Sequence, residues 1–264
     1  MKVTVDSGWL RKHLGSRNLA VLDTRTRASY SKSHIPGAVH ADLFHYFIPG
    51  TDKKGIDRFQ KELAEHLGKM GVTREKTFVV YESKLGMRAA RVAWMLEYAG
   101  ARKVLLLEGG FHAWKHSRFP TETGVTRKSP TTFRIRPLPR VLATATEVQT
   151  RRPAVILDVR SQGEFTGEEG RDCDKRRGRI PNSLWIEWTR FLQNGSRFKT
   201  KRELGPTLKD YGLSRDREII TYCHRGARAA SAFYALRSLG YRNVKNYVGS
   251  WHEWSARKNL MVER

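Results

Sequence analysis

Residues 219–230 read Ile219-Ile220-Thr221-Tyr222-Cys223-His224-Arg225-Gly226-Ala227-Arg228-Ala229-Ala230. Residues 218–222 form an apolar run of the kind found in buried strands. The alanine-rich stretch that opens at Arg228 reads as a helix, with Gly240 as its stop signal. Between them lies a short loop headed by Cys223. A strand, a tight loop and a helix N-terminus make an anion cradle, because the loop N–H groups converge and the helix dipole favours negative charge. A cysteine there is held as the thiolate, which is the nucleophilic form, and His224, Arg225 and Arg228 add positive character. The stretch predicts covalent catalysis by Cys223 in an α/β protein.

The chain repeats itself. Residues 86–114 align without gaps with residues 226–254. Identical pairs include Gly86/Gly226, Arg88/Arg228, Ala89/Ala229, Ala90/Ala230, Gly100/Gly240, His112/His252 and Trp114/Trp254. Upstream, Leu22-Asp23-Thr24-Arg25 matches Leu157-Asp158-Val159-Arg160, and Ile35-Pro36 matches Ile180-Pro181, with about ten extra residues in the second copy between those blocks. Such self-similarity marks duplicated units. Each copy reads as a helix (8–14; 144–150), a short strand ending in Leu-Asp-x-Arg, a strand (77–81; 218–222), a helix, and a further strand (103–107; 243–247). Strands alternating with helices imply a parallel sheet covered on both faces. In such sheets ligands gather at the carboxyl ends of the strands. Residues 124–140, with Pro130, Pro137 and Pro139, read as a linker between a domain at 1–123 and a domain at 141–264.

The 264 residues carry 50 Lys+Arg against 26 Asp+Glu, a net charge of +24. A polyanion partner is one reading of that charge. The basic residues are spread along the chain with no nucleic-acid motif, so steering of a small anion is the simpler one. Seven Trp and eleven Phe argue against disorder. No apolar run is long enough for a membrane span, and the opening Met1-Lys2-Val3-Thr4-Val5-Asp6 lacks a signal-peptide core, so a cytoplasmic chain without membrane contact is expected. Cys173 and Cys223 are too few for a disulfide scaffold and lack metal-ligand spacing. Cys173, in the polar insertion Glu168-Glu169-Gly170-Arg171-Asp172-Cys173-Asp174, reads as an incidental surface thiol. His112 and His252 recur in both copies and read as packing residues, and His34, His40 and His45 show no ligand spacing.

Taken together, Leu-Asp-x-Arg, His34-Ile35-Pro36-Gly37-Ala38, Tyr222-Cys223-x-x-Gly226-x-Arg228 and Gly249-Ser250-Trp251-x-x-Trp254 resemble the two-domain rhodanese-type sulfurtransferases over nearly the whole chain. The resemblance implies two tandem rhodanese-like domains, each a parallel sheet flanked by helices, with only the second catalytic. Glu82 stands where the second copy has Cys223, so the first domain is expected to be inert. The implied reaction takes sulfane sulfur from thiosulfate onto Cys223 and passes the persulfide sulfur to a thiophilic acceptor: cyanide, a thiol or a protein. The loop residues His224, Arg225, Gly226, Ala227, Arg228 and Ala229 are the implied substrate and persulfide contacts, with Arg160 at the interdomain cleft. No metal and no organic cofactor are implied. A monomer is expected, with a protein or RNA acceptor docking on the basic surface as an extension.

The chain departs from the family at points that bear on the donor. Members acting on 3-mercaptopyruvate typically carry Cys-Gly-x-Gly and a second arginine about nine residues after the Arg160 position. This chain has Cys223-His224-Arg225-Gly226 and, at the second place, Glu169. Charge complementarity therefore favours thiosulfate over mercaptopyruvate. Val248 replaces a common aspartate, with no consequence legible in the sequence. A Cys-loop phosphatase or arsenate reductase would hold its oxyanion in a Cys-x5-Arg loop. The spacing from Cys223 to Arg228 is Cys-x4-Arg, which suits a terminal sulfur better.

Overall fold

A computed structural model describes residues 2–150 and 153–264. Met1, the start of the expected first domain, and Arg151 and Arg152 lie outside the described residues. The first half runs β1 (Thr4–Val5), α1 (Ser7–His13), β2 (Leu19–Asp23), α2 (Arg27–Lys32), β3 (Val39–His40), α3 (Lys53–Lys69), β4 (Thr77–Tyr81), α4 (Met87–Tyr98), β5 (Lys103–Leu107) and α5 (Gly110–His116). The second runs β6 (Leu142–Ala143), α6 (Ala145–Thr150), β7 (Val155–Asp158), α7 (Gln162–Thr166), β8 (Leu184–Trp185), the hairpin β9 (Leu192–Gln193) and β10 (Arg197–Phe198), α8 (Lys201–Asp210), β11 (Ile219–Tyr222), α9 (Ala227–Ser238), β12 (Val244–Tyr247) and α10 (Ser250–Ala256).

The two halves fold alike. The sheets have the orders β1-β5-β4-β2-β3 and β6-β12-β11-β7-β8, and every pairing within them is parallel. β4 and β11 are the central strands. Phe78 to Tyr81 and Ile219 to Tyr222 are buried throughout, which is why these runs are continuously apolar rather than alternating. At β11 the chain order turns, with α9 leading to β12 on one side and β7 lying on the other. The cysteine thus leaves the sheet at the crevice where open α/β sheets bind ligands.

The outer faces carry two small cores. One gathers Leu10 and Trp114 from α1 and α5; the other gathers Val148, Trp251 and Trp254 from α6 and α10. The inner faces share one continuous core that crosses between the halves and includes residues of α3, α4, α8 and α9. α4 and α9 pack on each other at its centre, and both are buried nearly all round, as helices sandwiched between layers are. Polar bonds join the halves around this contact. Glu97 of α4 accepts from Tyr234 Oη of α9 at 3.1 Å and pairs with Arg237. Trp94 Nε1 donates to the Val141 carbonyl at 3.1 Å. Thr51 meets Glu253 through its amide at 2.7 Å and its hydroxyl at 2.8 Å.

The segment read as a linker is an ordered strap. Phe133 is buried, and the amides of Thr131, Arg136 and Leu138 donate to Gly68, Ala99 and Tyr98 carbonyls at the ends of α3 and α4. No helix of the described residues is long and apolar enough to cross a membrane.

Because Glu97 holds two α9 side chains, Glu97→Ala should lower folding stability by about 1–3 kcal/mol. Urea denaturation at neutral pH reads this as a lower midpoint. An unchanged midpoint would mean that the α4–α9 register is set by apolar packing alone.

Candidate active site

The loop after β11 is built around the sulfur. Cys223 is 1% exposed. Its Sγ accepts the Gly226 N–H at 3.1 Å. That closure requires Gly226 in the left-handed region (φ +81°), and a Cβ there would lie 3.0 Å from Val248 Cα and 3.1 Å from its carbonyl oxygen. Asn246 Nδ2 donates to the Gly226 carbonyl at 3.1 Å, and the first α9 bond runs from the Ala230 amide to the same oxygen. The amides of Ala227, Arg228 and Ala229 therefore have no carbonyl one turn back and form the anion-binding end of α9. Behind the loop, Ser250 Oγ accepts the Cys223 amide at 3.1 Å and donates to the Tyr247 carbonyl at 2.7 Å. Ser250 holds φ +53°, a conformation costly for a residue with a Cβ; its counterpart in the first half is Gly110, at φ +56°. That substitution within the repeat was the sequence signal for Ser250, and it passed unread.

The cations around the sulfur have different fates. Arg228 makes a two-pronged ion pair with Glu164, at 2.5 and 2.9 Å. Glu164 is also the third residue of α7, reciprocally capping Ser161. Burial would raise the Glu164 pKa, but the hydrogen bonds and charge of Arg228 outweigh it and hold the carboxyl down at about 2. The Arg228 guanidinium, expected to shape the loop with its charge available to a bound anion, is thus bonded to a carboxylate and braces the loop. Arg160 is a clearer correction. It does not line an interdomain cleft: it is 1% exposed, bonded to both Asp158 oxygens at 2.6–3.0 Å and to the Gly178 carbonyl at 2.8 Å, and it lies over the rings of Tyr222 and Trp251. Arg25 repeats the arrangement on Asp23 in the first half, so the pair is scaffold.

Arg225 is the cation at the mouth. Its guanidinium lies 4.2 Å from the centre of the Phe47 ring, a first-half residue. Arg91, from α4, donates Nη2 to the Arg225 carbonyl at 2.8 Å and Nη1 to the Phe44 carbonyl at 2.9 Å. Burial lowers the Arg91 pKa to about 10, against the pull of nearby Cys223 and with a further push from Arg225. Sequence reasoning missed Arg91 because it belongs to the half without the cysteine.

The polar insertion of the second half folds onto the loop. His224, 4% exposed, meets Asp174 Oδ1 at 2.8 Å, and Cys173 Sγ lies 3.7 Å from the same His224 nitrogen. Arg225 Nη2 reaches Cys173 Sγ at 3.6 Å. Cys173 is exposed, yet it stands against two loop residues and is not incidental to the site. His252 faces His224, with ring centroids 5.7 Å apart, while His112 is exposed; a packing role common to both copies does not hold.

A family model for the rhodanese-like domain matches the chain twice, over residues 6–117 and 143–257. The chain is similar to a 3-mercaptopyruvate sulfurtransferase of Escherichia coli strain K12, 31% identical over 98% of this chain and 97% of that protein. It is similar to a thiosulfate sulfurtransferase of Pseudomonas aeruginosa, 28% identical over 100% of this chain and 97% of that protein. A crystal structure of a 3-mercaptopyruvate sulfotransferase from Escherichia coli matches its fold with a TM-score of 0.81 at 28% identity, covering 96% of this chain and all of that one. The chain belongs to the rhodanese family of sulfurtransferases.

In the first rhodanese-like domain the same cradle is filled from within. Glu82 is half-buried and its Oε1 accepts the Ala89 amide at 2.9 Å, at the start of α4. Burial raises its pKa, and the amides of Ala89 and Arg88 work against that shift. Arg88 turns to Asp42 at 2.8 Å.

For the second rhodanese-like domain two outcomes are expected. The Glu164 pKa lies below the ordinary 4.5, so the stability of this ion pair is present above pH 4.5 and is lost as pH falls toward 2. Thermal unfolding of Glu164→Gln at stepped pH should be flatter over that window than the parent; equal slopes would mean that Arg228 is braced by something else. Ser250→Gly should keep the fold, since glycine suits φ +53°, but release the Cys223 amide and slow sulfur transfer about tenfold or more. Transfer at the parent rate would show that the loop holds the sulfur without this bond.

Proposed function

We propose that this sulfurtransferase moves the sulfane sulfur of thiosulfate to a thiophilic acceptor through a persulfide on Cys223. The supporting observation is the sulfur at the base of the loop, receiving the Gly226 N–H at 3.1 Å beside the amide end of α9. The Cys223 thiolate attacks the outer sulfur of thiosulfate. A new S–S bond forms as the old one breaks, and sulfite leaves with the bonding electron pair. The amides of Gly226, Ala227, Arg228 and Ala229 hold the charged outer sulfur of the persulfide. A cyanide, thiol or protein nucleophile then takes that sulfur and the thiolate returns.

The donor preference is argued from residues, since relatives of both names are similar to a comparable degree. Thiosulfate is a compact dianion, and Arg225 offers one cation at the mouth with its Nε buried and without a hydrogen-bond partner among the described residues. Glu169, where mercaptopyruvate enzymes typically carry an arginine, puts a carboxylate beside Ser161, whose hydroxyl donates to it at 3.2 Å. Phosphoryl transfer is disfavoured because the Arg228 guanidinium is bound to Glu164 rather than free for an oxyanion. The net charge of +24 serves to steer the anionic donor, in a monomer acting in the cytoplasm; a protein or RNA acceptor is a further use of that surface.

After incubation with thiosulfate, intact-mass analysis should show one added sulfur that maps to Cys223 and is absent in Cys223→Ser. Arg225→Ala should raise KM for thiosulfate about tenfold, equivalent to about 1.4 kcal/mol of binding. Side-by-side kinetics should give a higher kcat/KM with thiosulfate than with 3-mercaptopyruvate. Sulfur retained by Cys223→Ser would place the nucleophile elsewhere, and a clear preference for mercaptopyruvate would overturn the donor.

A further inference from the structure

The second domain contains about ten residues that the first lacks, between its Leu-Asp-x-Arg and Ile-Pro blocks. This insertion brings Cys173 and Asp174 against two histidines that come from different elements: His224 from the loop after β11 and His252 from α10. One ligand atom from each of the four lies within 4.8 Å of every other. Asp174 and His224 are buried at the side chain, 2% and 5% exposed. His252 Nδ1 is buried and has no hydrogen-bond partner among the described residues. An imidazole with one nitrogen unpaired, together with a thiol, a carboxylate and a second imidazole, is a donor set for a metal ion.

We propose that Cys173, Asp174, His224 and His252 form a Zn2+ site at the mouth of the catalytic loop. One sulfur, two imidazoles and one carboxylate is a donor set for tetrahedral zinc, whereas magnesium and calcium take oxygen ligands. Zinc–ligand bonds of about 2.0–2.3 Å separate tetrahedral ligands by about 3.3–3.8 Å, so the widest pairs close by about 1 Å and the 2.8 Å contact between His224 and Asp174 opens slightly. Binding replaces the present bond between His224 Nε2 and Asp174 Oδ1. The imidazole proton moves to Nδ1, the Cys173 thiol releases its proton to solvent, and both nitrogen and sulfur donate lone pairs to the metal. Zinc with one thiolate and one carboxylate is formally neutral, so the Arg225 guanidinium near Cys173 is not repelled. The catalytic Cys223 takes no part, and the site exists in only one of the two copies because only that copy has the insertion.

The test is metal binding by the untagged full chain, stripped with a chelator and titrated with Zn2+ against a chromophoric chelator, with Co2+ as a spectroscopic substitute. One Zn2+ per chain is expected in the parent and in Cys223→Ser. Co2+ should give a thiolate-to-metal charge-transfer band in both, and none in Cys173→Ser. Cys173→Ser, Asp174→Asn and His252→Gln should each weaken zinc by about a hundredfold or more, the upper end of what loss of an outer-shell partner costs. Circular dichroism confirms that each variant is folded, and exposed Cys173 is the least disruptive of the three. The proposal fails if the parent binds no zinc, if the band follows Cys223 instead of Cys173, or if the folded Cys173 and His252 variants bind as tightly as the parent. Because no sulfur transfer is measured, these outcomes are independent of the proposed activity.

Discussion

A loop of four residues between a strand and a helix has too little chain to keep a row of amides pointed at one sulfur unaided. Here the loop is held from three sides. Val248 lies so close beneath Gly226 that only glycine fits, and the left-handed turn there aims the Gly226 N–H at Cys223. Ser250 fixes the Cys223 amide from α10. Arg91 reaches from the other domain to the Arg225 carbonyl. The remaining features of the site follow from that clamped geometry: with Arg228 bonded to Glu164, the loop's charge is left to backbone dipoles and to Arg225.

The duplication separates scaffold from chemistry. Features present in both copies are structural: the buried Asp23–Arg25 and Asp158–Arg160 pairs, and the central strands whose tyrosines, Tyr81 and Tyr222, donate or accept around the Ile-Pro turns. Features present in one copy gather at the loop after β11: Cys223 against Glu82, Ser250 against Gly110, and the insertion bearing Cys173. The first domain shows what the cradle does without a thiolate, since it is occupied by its own carboxylate.

Much of this was legible in the sequence. The continuous apolar runs marked the central strands, and the repeat marked two like sheets, because both signals are local or periodic. Cys223 and its loop stood out because strand, loop and helix are contiguous. What stayed hidden depends on contacts across sequence distance. Arg160 read as a cleft residue because its motif position says nothing about the carbonyl of Gly178 or the ring of Trp251 that enclose it. Cys173 read as incidental because its acidic neighbours were visible and His224, fifty-one residues away, was not. Arg91 lies 134 residues from the carbonyl it supports. The Ser161–Glu164 capping box was in the sequence, but its second role as the anchor of Arg228 required the fold.

The Arg91 contact gives the first half of the molecule a part in the second half's site. Its cradle is filled by Glu82, yet its α4 is the floor on which the Cys223 loop rests, and Phe47 from the same domain stands beside Arg225. The contact ties a helix of one domain to the loop of its twin, so a substitution in α4 reaches the Cys223 loop from the other half of the chain, and the two domains work as a single object.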